Sequence, residues 1–450
     1  MRLHGIALVA SLLAACGPGE VVAPPHVIVL SLDTVRADRL GCYGAEPSPT
    51  PRLDELARRA DLHRTCVATA PWTLPSHASM FTGLFPFEHG THGFRVDEYV
   101  DNAHPLHPDH LTLAEALGEV GFETAAFVAN TVYLATRFGL DQGFQTYEVR
   151  RQGAAAMTDR ALAFLDGREA GGPCFLFVNY MDAHRPYGMR PHEELARLPE
   201  DAHPAKLLER LCEQVMVRGE APGELGARVS ALYDEGLAGL DREVGRLLDG
   251  LEERGLLDGA LVIVTSDHGE AFGEHGVVEH GKDVYEPLLA VPLIVKRPGQ
   301  SEGEVLVDLA SLVDVPGLVA AALQGERGDR LRGHFPRVPG VHPVIAEVHY
   351  ARPRELLLYG ERFQRERTAL REGRHKLIVG GGRTELYDVL ADPSEARDLA
   401  GTEPERARAL EALLEGIIEA GLYQGERLAP VAPTVPQQGE IRALGYGGGR

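Results

Sequence analysis

A threonine close to a proline, a serine and a histidine is the first group of residues in this sequence that could do chemistry. The stretch APWTLPSHASMFTG, residues 70–83, contains Thr73 and, four positions later, His77. Threonine is a favoured N-cap and proline suits the first turn of a helix, so the stretch predicts a helix that begins at Thr73. Two interpretations are open: Thr73 caps the helix, or its hydroxyl acts as a nucleophile.

Acidic and imidazole side chains form the second group. Asp33 ends the apolar run that begins at Val27, Asp267 and His268 follow the run ALVIVT, and His184 follows the run FLFV. Runs of this length and composition predict buried strands. Ligands bind outside the carboxyl ends of the strands in open α/β sheets. Oxygen and imidazole donors there predict a divalent-metal site at Asp33, Asp267 and His268.

Strands and helices that alternate along the chain must position these residues. Helical patterns occupy TLAEALGEVGF and residues 225–257, and each leads into one of the buried strands. Alternation of this kind predicts an α/β fold with a largely parallel sheet between helices. Short strand-like runs from about residue 340 onward, followed by a closing helix, predict a small C-terminal α+β subdomain.

Changes in composition divide the chain into five parts. The run IALVASLLAAC near the N-terminus is far too short to span a bilayer and is typical of a secretory signal. The segment PTVPQQGEIRALGYGGGR near the C-terminus is rich in proline and glycine, which does not favour a packed core. We predict a signal peptide at 1–15, a tether at 16–25, a large α/β domain at 26–335, a small subdomain at 336–425 and a tail at 426–450.

Cys16 ends the sequence LAAC, which resembles the signal of a bacterial lipoprotein. Small residues immediately precede the cysteine, as processing requires. The resemblance implies that Cys16 becomes a lipidated N-terminus and anchors the protein to a membrane of the cell envelope. By resemblance to the sorting rules of Gram-negative bacteria, Gly17 in place of an acidic residue implies the outer membrane, with the protein on its periplasmic or surface face. The alternative is an ordinary cleavage site with a chance cysteine.

The overall charge argues against one class of partner. The chain has 45 lysine and arginine residues against 66 aspartate and glutamate residues, a formal net charge of −21. Nucleic-acid binding usually needs a basic face, so we expect no nucleic-acid partner. A metal ion or a few cations can reverse the sign locally, so the charge leaves room for an anionic substrate.

Four cysteines follow the predicted signal: Cys42, Cys66, Cys174 and Cys212. An exported protein can form disulfides, and four cysteines allow three pairings that the sequence does not separate. The absence of a CxxC pair in the sequence argues against a zinc-thiolate site. We expect buried free thiols, with at most one bridge.

The motifs LDTVRAD, TLPSHASMFTG and SDHGE together resemble the sulfatase family of the alkaline phosphatase superfamily. The resemblance extends over nearly all of residues 25–400 and includes GCYG, YMDAHRPY, SDHGEAFGEHG and EHGKDVYEPLLAVPLIVKRPG. It implies an alkaline-phosphatase/sulfatase-like fold whose catalytic domain is the segment 26–335. It also implies one divalent metal ion (Ca, Mn or Zn) and a small anionic ester as substrate.

The resemblance assigns roles to individual positions of this chain. It implies metal binding by Asp33 and Asp267, with His268 beside the metal. The nucleophile of the family falls on Thr73. The remaining catalytic positions fall on His184, His280 and Lys282, with His77 in a fourth catalytic position.

The chain departs from the family pattern at three positions. Thr34 stands where many sulfatases have a second aspartate, and His77 stands where they often have arginine. His77 either replaces that guanidinium or packs on the helix. Thr73 stands where sulfatases have cysteine or serine, the residues that can be matured to formylglycine. A threonine cannot be matured in this way, so the route through a hydrated aldehyde is closed.

The expected function is a metal-dependent hydrolase that cleaves sulfuric or phosphoric monoesters or diesters through a covalent Thr73 intermediate. Water must then attack sulfur or phosphorus itself, a step that is routine for phosphoryl groups. Similarity along the whole chain favours sulfur instead. Two alternatives are a phosphotransferase that passes the group from Thr73 to an acceptor hydroxyl, and a non-catalytic surface lipoprotein that keeps the fold for binding.

Overall fold

The computed structural model describes residues 25–93, 103–168, 171–188, 198–199, 201–349, 353–363 and 366–421. The predicted signal peptide, almost all of the predicted tether and the whole predicted tail lie outside these ranges. Among the helices within them, none combines the length and the apolar character needed to cross a membrane.

The strands of the described ranges form a large central sheet, a smaller C-terminal sheet and a short two-stranded ladder. In chain order they are β1 Val27–Leu32, β2 Asp61–Val67, β3 Glu123–Val128, β4 Thr146–Val149, β5 Cys174–Tyr180, β6 Leu261–Thr265, β7 Ala271–Phe272, β8 Val278–Glu279, β9 Ala290–Val291, β10 Leu293–Lys296, β11 Val305–Ser311, β12 Val344–Val348, β13 Arg367–Glu372, β14 His375–Gly380 and β15 Arg383–Asp388.

Helices flank these sheets. The α-helices of the described ranges are α1 Pro51–Ala57, α2 Thr73–Thr82, α3 Pro86–His89, α4 Leu113–Glu119, α5 Ala154–Gly167, α6 Pro204–Cys212, α7 Gly223–Glu253, α8 Glu286–Leu289, α9 Val315–Ala322, α10 Gly325–His334, α11 Pro353–Tyr359 and α12 Pro404–Ala420. A π-helical turn, Glu213–Val217, continues α6. The helical pattern predicted at 225–257 corresponds to α7.

The central sheet is mostly parallel, as predicted. Its strand order is β11-β2-β10-β6-β1-β5-β3-β4, and β9 pairs with β2. β1 pairs in parallel with both β5 and β6, so the carboxyl ends of these three strands lie side by side. The exceptions are β10, antiparallel to β2 and β6, and β9, antiparallel to β2. The predicted α/β fold class is therefore confirmed.

Both faces of the sheet are buried, which explains the uninterrupted apolar runs in its strands. Val27 and Val29 of β1 pack into one hydrophobic core, together with α2 and α9. Ile28 and Leu30 pack into a second core, together with α5 and α7. Alternate residues of one strand therefore hold helices on opposite faces of the sheet.

The C-terminal part is a four-stranded antiparallel sheet, β12-β13-β14-β15, followed by α12. Buried ion pairs connect it to the segment after β8. Arg367 lies 2.9 Å from Asp283, and Lys376 lies 2.9 Å from Glu286. The α+β character expected of this region is confirmed.

The cysteines of the described ranges are free thiols. Cys66, Cys174 and Cys212 are buried, and Cys42 is half-buried. Burial raises the pKa of the Cys174 thiol to about 11. The structure therefore agrees with the interpretation of these residues as buried thiols.

Candidate active site

Thr73 is the first residue of α2, and it does not act as the N-cap. The cap residue is Trp72, whose backbone is extended and whose side chain makes no capping hydrogen bond. The interpretation of Thr73 as an N-cap is therefore wrong, because the helix starts one residue earlier than that role requires. The Thr73 side chain is buried, and its hydroxyl oxygen lies 3.5 Å from Nε2 of His268.

Asp33, Asp267 and His268 form one cluster, as the sequence predicted. Each offers a ligand atom, and these atoms all lie within 4.8 Å of one another. Nε2 of His268 lies 3.4 Å from Oδ2 of Asp267 and 4.0 Å from Oδ1 of Asp33. The three residues come together because β1 and β6 are parallel neighbours, so that the residues following them share one edge of the sheet.

The hydrogen bonding of the two aspartates fits a cation. Oδ1 of Asp33 and Oδ2 of Asp267 are buried, and neither accepts a hydrogen bond from the residues that the structure describes. Burial and the charge of Asp267 raise the pKa of Asp33 to about 7, and burial raises that of Asp267 to about 7. Buried charges are normally paired or coordinate metals, so these residues fit one divalent ion. The mixture of imidazole and carboxylate suits zinc or manganese.

Thr34 contributes its backbone to the cluster. Its backbone N–H donates to Oδ1 of Asp267 at 3.2 Å, and its carbonyl accepts from the Tyr233 hydroxyl at 2.8 Å. Its own hydroxyl donates to the carbonyl of Asp33 at 2.7 Å. Its φ of 65° is uncommon for a threonine. The position where many sulfatases carry a second aspartate here supplies an N–H donor that fixes Asp267.

His77 is a neutral group that links α2 to β1. Its Nδ1 lies 2.8 Å from the carbonyl of Thr73, and its Nε2 lies 2.9 Å from the hydroxyl of Ser31. A carbonyl only accepts, so Nδ1 carries the proton, and Nε2 accepts from Ser31. Nδ1 also lies 3.6 Å from Oδ2 of Asp267. Burial lowers the pKa of His77 to about 3, so it does not supply the charge of a guanidinium.

His184 and His280 lie beside the cluster. The ring centroid of His280 is 4.6 Å from that of His268 and 5.2 Å from that of His184. Nδ1 of His184 donates to the carbonyl of Arg185, and Nδ1 of His280 lies 2.9 Å from Oε1 of Glu270. Burial lowers the pKa of His184 to about 3 and holds the pKa of His280 well below its usual range.

Lys282 lies behind His280. Its Nζ donates to the carbonyl of His280 at 3.2 Å and pairs with Glu279 at 3.2 Å and Glu355 at 3.3 Å. Burial opposes the charge of this ammonium group, but the two carboxylates raise the pKa of Lys282 above its ordinary value. Glu279 also pairs with Arg185. The structure thus links Lys282 to the histidines, and its direct catalytic role stays a prediction.

Sequence reasoning missed Asn130. Its Nδ2 lies 3.0 Å from Oδ2 of Asp33 and 3.3 Å from the hydroxyl oxygen of Thr73. Asn130 follows β3, a parallel neighbour of β5 in the same sheet. The rule that identified Asp33, a polar residue just beyond a buried strand, could therefore have identified Asn130 as well.

Comparisons with known proteins agree with this geometry. A family model described as Sulfatase matches residues 25–324. The steryl-sulfatase of Mus musculus is 28% identical in an alignment that covers 71% of this chain and 66% of that protein. The multifunctional alkaline phosphatase superfamily protein PehA of Trinickia caryophylli is 25% identical in an alignment that covers 67% of this chain and 74% of that protein.

Solved structures share the fold. The phosphonate monoester hydrolase of Agrobacterium radiobacter has a TM-score of 0.65 at 18% identity, covering 89% of this chain and 96% of that one. A 2-O GAG sulfatase has a TM-score of 0.67 at 19% identity, covering 91% and 95%. The match to the family model extends over more than half of the chain. The expected enzyme class, a hydrolase that acts on ester bonds, is confirmed. This chain belongs to the sulfatase family.

Proposed function

We propose that the protein is a metal-dependent ester hydrolase that transfers a sulfuryl or phosphoryl group first to Thr73 and then to water. The observation that carries this proposal is the position of the Thr73 hydroxyl, 3.5 Å from Nε2 of His268. His268 belongs to the same buried cluster as Asp33 and Asp267. A hydroxyl with no capping role, next to a group of metal-binding side chains, suits a nucleophile.

In the first step the oxygen of Thr73 forms a bond to sulfur or phosphorus, and the bond to the leaving-group oxygen breaks. Asp33, Asp267 and His268 would hold one divalent ion, which stabilises a threonine alkoxide and the anionic ester when it is bound. The N-terminus of α2, which begins at Thr73, adds backbone N–H groups that favour an anion. The proton that Thr73 loses goes to the departing oxygen, and we assign its transfer to His280, whose ring lies 4.6 Å from that of His268, and to the neighbouring His184.

In the second step water attacks sulfur or phosphorus, and the bond to Thr73 breaks. The electron pair of that bond goes to the threonine oxygen, and the proton that water loses restores the hydroxyl. A threonine ester has no second hydroxyl through which the group could be expelled without attack at the central atom. This chemistry favours phosphorus, whereas the names of several relatives, which are sulfatases, support sulfur.

A substrate panel tests the proposal. Aryl sulfate, phosphate monoester, phosphodiester and phosphonate monoester are each assayed with added Mn²⁺, Zn²⁺ or Ca²⁺, on the parent and on Thr73→Ala. We expect turnover of at least one ester class, lost after chelation and lost in the variant. Binding of metal without turnover of any ester would support the non-catalytic alternative. Product that forms only with an added alcohol acceptor would support the phosphotransferase.

A further inference from the structure

The side chain of Asn130 is held in one orientation by its own turn. Its Oδ1 accepts from the backbone N–H of Val132 at 3.2 Å and from that of Tyr133 at 3.0 Å. Its backbone N–H donates to Oδ1 of Asn179 at 3.0 Å. Only 3% of Asn130 is exposed. Backbone N–H groups only donate, so the amide atom that faces them must be the oxygen.

The amide nitrogen therefore faces the site. Nδ2 carries two protons, and two acceptors lie within reach of it: Oδ2 of Asp33 at 3.0 Å and the oxygen of Thr73 at 3.3 Å. The same side chain thus contacts a member of the predicted metal cluster and the proposed nucleophile. A donor fixed in this way costs little reorganisation when charge develops on the Thr73 oxygen.

We propose that Asn130 is a catalytic residue that donates a hydrogen bond to the Thr73 oxygen while that oxygen carries negative charge; this inference rests on the proposed function. The oxygen carries this charge twice, after it loses its proton to attack and again when it leaves. In the leaving step the new bond joins the water oxygen to phosphorus or sulfur. The bond to Thr73 breaks toward the threonine oxygen, which then takes up the proton lost by water.

The donor matters more when Thr73 leaves than when it attacks an aryl ester. A 4-nitrophenolate departs readily without help, whereas an aliphatic alkoxide is a poor leaving group. Loss of the Asn130 donor should therefore slow breakdown of the covalent intermediate more than its formation. The intermediate should accumulate as a result.

The competing interpretation gives Asn130 only a structural role, as the cap of the turn at Val132 and Tyr133. Asn130→Asp and Asn130→Ser separate the two roles. Each keeps a side-chain oxygen that can accept from the turn, and each lacks the NH₂ group. Asn130→Asp adds a negative charge near Asp33 and Asn130→Ser does not, so an effect common to both variants belongs to the lost NH₂ group.

The experiment uses 4-nitrophenyl phosphate and 4-nitrophenyl sulfate, with Mn²⁺ first at a concentration that saturates the parent and then at higher concentrations. The steady-state rate, the bound Mn²⁺, the denaturation midpoint and the intact mass after acid quench are measured for the parent and both variants. We expect turnover about 100-fold to 1,000-fold lower in both variants, with the metal retained. A larger fraction of each variant should carry the mass of one phosphoryl or sulfuryl group.

The outcomes separate this inference from the proposed function. Parent rates in both folded variants, together with an inactive Thr73→Ala, would overturn the role of Asn130 and leave the proposed function standing. A fully active Thr73→Ala would overturn the proposed function itself. Recovery of parent rates in both variants at higher Mn²⁺ would also contradict the inference, because Asn130 would then act only through Asp33.

Discussion

The hydroxyl oxygen of Thr73 lies 3.5 Å from Nε2 of His268, although the two residues are 195 positions apart in the chain. Thr73 opens the helix that follows β2, and His268 follows β6. β10 lies between those two strands in the sheet and runs antiparallel to both. The contact therefore depends on the order of the strands, and local sequence alone does not produce it.

The two roles first considered for Thr73 predict different effects of removing its hydroxyl. Loss of a capping side chain typically lowers the free energy of unfolding by about 0.5–2 kcal/mol. Because Trp72 is the N-cap, Thr73→Ala should lower the free energy of unfolding by less than that. As the nucleophile, Thr73 is essential, so Thr73→Ala should abolish turnover while Thr73→Ser keeps part of it. The denaturation midpoint and the single-turnover rate of all three proteins test this. A folded and fully active Thr73→Ala would end the nucleophile hypothesis.

We propose that the protein is anchored to the cell envelope by a lipid on Cys16. The residues concerned lie outside the described ranges, and the proposal rests on the sequence LAAC. Cys16→Ala should move the protein from the membrane fraction to the soluble fraction of a producing cell. Cys212→Ala, which changes a buried thiol far along the chain, serves as the control and should leave the fractionation unchanged. A Cys16→Ala protein that stays with the membranes would exclude this anchor.

His89 provides a pH-dependent prediction away from the metal cluster. Its Nδ1 accepts from the backbone N–H of Thr91 at 3.0 Å, and its Nε2 lies 3.1 Å from the hydroxyl of Ser79 in α2. Burial holds the pKa of His89 well below its ordinary value, with smaller contributions from His110 and His92. As the pH falls below about 6.5, His89 is protonated in the unfolded chain but stays neutral in the folded chain, so the free energy of unfolding decreases.

His89→Gln removes this titration. The parent should be more stable than the variant at about pH 7. The difference between their free energies of unfolding should narrow by about 1.4 kcal/mol for each pH unit below about pH 6. Urea denaturation of both proteins at several pH values measures the gap. A gap that stays constant over this range would show that His89 takes up its proton in the folded state.

The sequence predicted Asp33, Asp267 and His268 because a single rule covers them: donors just beyond buried parallel strands meet at one edge of a sheet. The same rule applies to Asn130, but an amide is a weak metal ligand, so the search for metal-binding side chains passed over it. Asn130 becomes informative only once its contact with Thr73 is seen.

Other features depend on packing that the sequence does not reveal. His77 is neutral because it is completely buried, and its contact with Ser31, which is 46 positions away, follows from the same packing. The family resemblance assigns a catalytic position to Lys282, and that role stays a prediction. Its partner Glu355, however, comes from α11, whose approach to the site follows no local pattern. In the sequence, Thr34 is notable only because many sulfatases have an aspartate there. The backbone geometry shows that its N–H donates a hydrogen bond to Asp267.

A substitution at Asp267 tests the metal site, because the parent and the variant should exchange their order of stability when metal is added. In metal-free protein, burial raises the pKa of both Asp33 and Asp267 to about 7. The folded chain therefore keeps protons that the unfolded chain has released, and stability falls as the pH rises from about 4 to about 7. Asp267→Asn removes one of these carboxyl groups and keeps the Oδ1 atom that accepts from Thr34 and His268. We expect the chelated variant to be more stable than the chelated parent at about pH 8.

Added metal should invert that order. A ligand at about 100 times its Kd stabilises a folded protein by about 2.7 kcal/mol, and Asp267→Asn should bind the ion more weakly than the parent. Melting temperatures of both proteins at about pH 8, with EDTA or with Mn²⁺ or Zn²⁺, measure the reversal, and metal analysis should show depletion in the variant. Asp38→Asn is the matched control, because the Asp38 carboxylate pairs with Arg36. This variant should change the melting temperature by the same amount with and without metal. Replacing a metal-binding carboxylate by an amide must weaken the binding of the metal. Equal stabilisation of the parent and Asp267→Asn by the ion would therefore exclude Asp267 as a metal ligand.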